Sequence, residues 1–246
     1  MLDFTTLQLV YIGLAVFAGG ILRGISGFGF SLTLIVILTL FMPPILATAL
    51  IFIWEISASI LHLPFVWRQV DWKALKWLSI GIILGTPFGV WLVMYIPPTP
   101  MTVLINGTVI ILSIIMLRGY TLKRNLSPLE MIGTGTISGI INGASANGGP
   151  PVILLFFSSP AGVHVGRASL IAFFLFTDIF ASTLFASQGL MGKEILITSL
   201  YYIPCLALGI YIGSKLYSKI NEVLFKRFVI ILLIVISAFG CIKAII

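Results

Sequence analysis

The chain is 246 residues long, 59% hydrophobic and only 9% charged, with a mean hydropathy of +1.19. Soluble domains carry about 25% charged residues to solvate their surface, and seven acids with fourteen Lys and Arg cannot do that for 26.8 kDa. Most of the surface must face lipid; the net charge of +7 is no nucleic-acid footprint, because the basic residues sit between apolar runs.

The N-terminus (Met1 to Thr6) has no basic n-region and no convincing cleavage site, so no removable signal is expected and the first apolar run should persist. A spanning helix needs about 20 apolar residues. Six segments meet that length: roughly 45–63, 73–96, 101–118, 164–187, 192–214 and 223–244. Residues 7–41 and 129–159 are too long for one span, and each is interrupted by a glycine-rich patch, Gly24 to Gly29 and Asn142 to Pro151. Gly costs about 1 kcal/mol and Pro about 3 kcal/mol against Ala in a helix. Each interrupted segment is therefore expected to form two short half-helices meeting at a loop. Cys205 and Cys241 lie in apolar stretches and predict inert packing, with no disulfide framework and no Cys-based metal site.

The two interrupted segments align at an offset of 119: Gly20, Gly24, Ser26 and Gly29 fall on Gly139, Gly143, Ser145 and Gly148, and Ala49 on Ala168. Gly85 and Gly89 match Gly209 and Gly213 after a few inserted residues. The chain thus divides into a first repeat (1–118), a basic linker (119–128) and a second repeat (129–246).

The basic residues choose the topology. If each interrupted segment crosses once, the basic residues outside the patches split eight against five. If each is a hairpin, one side collects eleven, from Arg68 to Arg227, and the other keeps only Lys193 and Lys243. The hairpin arrangement predicts an all-α polytopic membrane protein of ten helical segments. It is an inverted repeat, each half a broken, re-entrant hairpin plus three transmembrane helices, with both termini outside. The tips are expected to meet near the bilayer midplane, where exposed backbone is tolerated when it lines a cavity.

Gly24-x-Ser26-Gly27-Phe28-Gly29, followed by an apolar run and Pro43-Pro44, resembles the first motif of the TauE/SafE sulfite exporter family. Gly139 to Gly143 and Gly148 to Pro151 resemble its repeated copy. The resemblance covers nearly the whole chain and implies a bacterial inner-membrane transporter of small sulfur-containing anions such as sulfite, sulfoacetate or other sulfonates. The second motif departs from a plainer glycine run by carrying Asn142, Ser145, Asn147 and Pro150-Pro151.

An anion at the midplane needs fixed donors and compensating charge, and helix N-termini supply both. The half-helices starting near Phe30 and Pro150 would point theirs inward. Candidate substrate-binding residues are Arg23, Gly24, Ser26, Gly27, Gly29, Ser31, Asn142, Gly143, Ser145, Asn147, Gly148 and Gly149. Alternatively the glycines only permit close helix packing. Arg23, costing about 2.5 kcal/mol or more in an apolar run unless paired or hydrated, either contacts the anion or forms a salt bridge to Glu55 or Asp178. Those two mid-helix acids either carry coupling protons or neutralise Arg23; Glu55 falls on Phe174 in the repeat, which argues against a symmetric pair. His62 and His164 are expected toward opposite halves of the membrane, and the tryptophans mostly in the aromatic belt.

No nucleotide, zinc-protease or CxxC motif is present. The expectation is a secondary transporter working by alternating access, not an enzyme, with no cofactor and no metal. Its partners would be a small anion, the bilayer and a coupling proton, with no nucleic acid; glycine-paired faces permit a homodimer. A channel-like anion pore and a carrier of small non-sulfur carboxylates are the alternatives.

Overall fold

The computed structural model describes residues 5–118, 126–158, 163–216 and 222–245. Among them are ten α-helices and no strand: α1 (Thr6–Ser26), α2 (Phe30–Leu38), α3 (Pro44–Val66), α4 (Trp72–Tyr95), α5 (Pro98–Leu117), α6 (Pro128–Ser145), α7 (Gly149–Ser158), α8 (Val163–Ser187), α9 (Lys193–Leu216) and α10 (Glu222–Ile245). The expected linker 119–128 falls largely outside the described residues.

Helix ends follow local chemistry. Thr5 accepts from the Gln8 backbone N–H while the Gln8 side chain returns to Thr5, and Ser127 and Glu130 do the same for α6. Pro44, Pro98 and Pro128 stand in first turns, where no N–H partner is lost. Between α1 and α2 the chain reverses through Gly27 (φ 80°) and Gly29 (φ 89°), left-handed conformations that cost glycine little. The second reversal puts Ala146 at φ 54°, at the position 119 beyond Gly27.

Among the described residues six helices are long and apolar enough to cross a membrane: α1, α3 with its following 3₁₀ turn, α4, α5, α8 and α9. α10 is another 24-residue helix. α1 departs from the expected short half-helix. It has 21 residues, about 31 Å at ~1.5 Å per residue, whereas α2 has nine. The reason is that Gly20 and Gly24 do not break α1. They flatten it, and a methyl group on either would strike the backbone of α9 between Leu206 and Ser214.

Two ends of the bundle are defined by bonds between turns. Lys243 Nζ donates to the Leu40 carbonyl at 2.7 Å, joining the end of α10 to the α2–α3 turn. The Asp71 N–H donates to Ser169 Oγ at 2.9 Å, joining the start of α8 to the α3–α4 turn. α1 runs parallel to α9, Gly13 beside Tyr202 and Gly24 beside Ile210 to Ser214. α6 runs parallel to α4, with Gly81, Gly85 and Gly89 set against successive turns from Ile132 to Ala144. Hence the first hairpin enters and leaves at the Leu40 end, and the second at the Asp71 end. The pairings α1·α9 with α6·α4, α3·α9 with α8·α4, and the self-pairings α3·α8 and α5·α10 are what a two-fold exchange of the halves requires. The repeat is inverted, and the chain is a polytopic membrane protein.

Candidate anion site at the hairpin tips

Arg23 lies in the last turn of α1 with none of its surface exposed. Its Nη1 stands 2.7 Å from Glu55 Oε2 on α3, and its Nη2 donates to Ser59 Oγ, one turn further along α3, at 2.8 Å. The guanidinium also lies over the Phe174 ring of α8, 4.8 Å from its centroid. Glu55 Oε1 accepts the Ser31 N–H at 3.2 Å. The N-terminus of α2, where an anion would bind, is therefore occupied by the protein's own carboxylate.

The second hairpin repeats this arrangement with exchanged chemistry. Asn142 stands 119 residues after Arg23, and Asp178 the same distance after Ser59. Asn142 Nδ2 donates to Asp178 Oδ1 at 2.9 Å, the counterpart of the bond from Arg23 to Ser59. Asn142 Oδ1 accepts the Gly148 N–H at 3.1 Å, and Ser138 Oγ donates to the Gly148 carbonyl, which closes the tip. Phe174 takes the place of Glu55, and Pro150, which has no N–H, takes that of Ser31. The Phe174 ring rests against Gly149 on one side and Arg23 on the other, so it stands between the two tips.

The remaining candidates sort by what they touch. Gly24 and Gly143 are pressed against the backbones of α9 and α4 and act in helix packing. Ser26 donates to Leu22 and Phe28 carbonyls, and Ser145 to the Ile141 carbonyl, so both hydroxyls serve their own hairpins. Gly27 faces the side-chain stem of Arg167, and Gly29 lies near Ser26 Oγ. Asn147 is 1% exposed, and neither its Nδ2 nor its Oδ1 has a hydrogen-bond partner. An orphaned buried amide costs about 1–3 kcal/mol per group, which makes Asn147 the tip residue with the most unused binding capacity. Gly24 lies beside the last turns of α9 and Gly143 beside Thr86 to Val90 of α4, so the tips pass each other, because α1 and α6 are long arms.

The profile of the sulfite exporter TauE/SafE family matches residues 11–239, which spans both hairpins. The chain belongs to that family. Its similarity to the probable sulfite/organosulfonate exporter TauE of Cupriavidus necator is 23% identity over 207 residues, 80% of each chain. No solved structure matches. Membership in the TauE/SafE family places the protein among membrane transporters.

Several residues of this TauE/SafE chain escaped the sequence reading. Ser59 and Phe174 complete the Arg23 cluster, and their register at offset 119 was the available signal. His62 and His164 do not lie toward opposite halves of the membrane: both line one cavity of about 590 Å³ at the Asp71 end, with Arg167, Val66 and Ile171. They converge because α3 ends where α8 begins. Trp54 is fully buried rather than in a belt; its indole donates to the Ser199 carbonyl at 3.0 Å and its ring meets Tyr202 edge-on.

Proposed function

We propose that this protein is a secondary transporter of a small organosulfur anion, sulfite or a sulfonate, working by alternating access. The observation that carries the reading is a difference between repeat-related positions. Phe52 and Phe185 meet edge-to-face at 5.1 Å toward the Leu40 end. Their equivalents at offset 119, Ile171 and Val66, instead line the cavity at the Asp71 end. Repeat-related positions, Phe52 and Phe185 against Ile171 and Val66, are thus closed at one end and open at the other, as in a carrier with inverted repeats exposed to one side. Tyr202 Oη, donating to the Leu9 carbonyl at 3.0 Å, adds a tie between α9 and α1 on the closed side.

The bias of basic residues favours the Asp71 end as cytoplasmic, in a bacterial inner membrane with both termini outside. Glu55 is a built-in stand-in for the anion: it holds Arg23 and the α2 N-terminus until protonation or a competing oxyanion releases them. Protonating Glu55 as substrate arrives would couple transport to a proton, with Asp178 as the second carboxylate of the site. The Phe52–Phe185 contact, which ties α3 to α8 toward the Leu40 end, supports a carrier over a pore.

Counterflow in proteoliposomes tests the reading. Sulfite or sulfoacetate on the far side should accelerate entry of the labelled anion, and Glu55→Gln should leave exchange with reduced pH dependence. Flux without trans-stimulation would assign a pore, and flux of acetate but not of sulfonates would reassign the substrate.

A further inference from the structure

Arg23 is enclosed, paired with Glu55 and stacked on Phe174, so an anion arriving in this conformation meets a different cation first. The cavity at the Asp71 end lies between the end of α3, the start of α8 and the end of α9. Arg167, His62, His164, Gln69 and Ser214 supply its polar wall, and among the described residues no Asp or Glu lines it. Ile171, Ile210 and Ala207 form an apolar wall beside them. A volume of about 590 Å³ falls within the ~300–1,000 Å³ of small-molecule sites. His62 Nδ1 makes no hydrogen bond. Arg167 has a permanent charge and a planar fork of donors suited to oxyanions.

Arg167 also touches the transport machinery. Its Nη2 donates to the Gly24 carbonyl at 3.1 Å, and its stem packs on Gly27 at the first tip. Its repeat equivalent is Thr48, fully buried with no partner for its Oγ1. At this repeat position, therefore, only the second half carries a cation. We propose that this cavity is the loading site for an organosulfonate, the sulfonate held by Arg167 with His62 and the carbon tail lying on Ile171 and Ile210. This deepens the transport reading and rests on it. An oxyanion on Arg167 competes with the Gly24 carbonyl, so occupancy loosens the first tip. The apolar wall favours an alkylsulfonate over bare sulfite, and the tie from Arg167 to the first tip favours loading from the Asp71 end.

The same oxyanion chemistry belongs to lipid phosphates, and a cysteine-protection assay separates the sources. Ser214→Cys is placed in a Cys205→Ser, Cys241→Ser background and labelled with (2-sulfonatoethyl) methanethiosulfonate or its trimethylammonioethyl counterpart. The anionic reagent should react roughly tenfold faster relative to the cationic one, because the cavity concentrates anions. 1-Butanesulfonate should slow labelling, more than methanesulfonate and far more than butylammonium. Arg167→Gln should abolish preference and protection together. Arg167→Lys, which keeps the charge without the fork, should retain the preference and part of the protection, showing that the fold survives. Protection that is absent, or unchanged in Arg167→Gln, overturns the assignment. So does protection by phosphatidylglycerol nanodiscs, relative to phosphatidylcholine ones, without protection by butanesulfonate. Protection that persists in a protein with no counterflow would leave this site standing and sink the transport reading alone.

Discussion

Arg23 and Glu55 are worth most to each other when both are present. Both are essentially unexposed, and removing one partner of a buried pair costs about 3–5 kcal/mol because the other charge is left uncompensated. Arg23→Met should therefore lower the thermal midpoint sharply, and Arg23→Met with Glu55→Leu should recover much of the loss. Transport should remain absent in both variants, in protein that still inserts. Recovery of flux in the double variant would remove Arg23 from the substrate path. Asn142 has a different burden: Asn142→Ala orphans both Asp178 Oδ1 and the Gly148 N–H. At about 1–3 kcal/mol for each unmade bond, this should destabilise the second hairpin as strongly as a core truncation, measured by thermal unfolding in detergent. The candidate residues were legible at this scale because charge is so rare in the chain. Their pairings were less so. The lack of alignment between Glu55 and Asp178 hid the fact that both acids align with members of the Arg23 cluster, Glu55 with Phe174 and Asp178 with Ser59.

At the scale of elements, glycine plays two roles that composition cannot separate. Gly85 faces the Thr136 carbonyl, whereas Gly107 has nothing within 4 Å of its absent side chain. Gly85→Val should force α4 from α6 and cost about 1–3 kcal/mol of overpacking, while Gly107→Ala should be neutral or stabilising by up to about 1 kcal/mol. Yield of monodisperse protein and thermal midpoint would check the pair; equal effects would contradict the packing role. The same distinction explains the misjudged length of α1. A glycine patch looks like a break, but Gly20 and Gly24 are helical because α9 covers them, and within this patch it is Gly27 and Gly29 that take left-handed backbone. Nothing local distinguishes a glycine that another helix covers from one that ends its own.

For the whole molecule, alternating access predicts that the two faces exchange. A disulfide formed from Phe52→Cys and Phe185→Cys, in the background without Cys205 and Cys241, should arrest counterflow until reduced. The repeat-related pair Val66→Cys and Ile171→Cys should cross-link slowly, and faster when substrate closes that face. Equal cross-linking of both pairs in resting protein would deny the one-sided state. Orientation is a separate matter: Leu190→Cys should label from outside intact cells and Gln69→Cys should not, and the reverse would invert the membrane assignment while leaving the fold untouched.

The sequence by itself determined that this chain lies in a membrane, that it consists of two copies of one plan, and that the copies are inverted. Those properties rest on hydropathy, on residue identities at a fixed offset, and on Lys and Arg sorted by loop, all of which are one-dimensional. Tertiary structure alone decided that the N-terminus of α2 is filled by Glu55, that the tips pass each other around Phe174, and that two histidines and Arg167 share a cavity. Each of these depends on which turns of which helices lie side by side, and the packing of glycine against backbone fixes that register only once the helices meet.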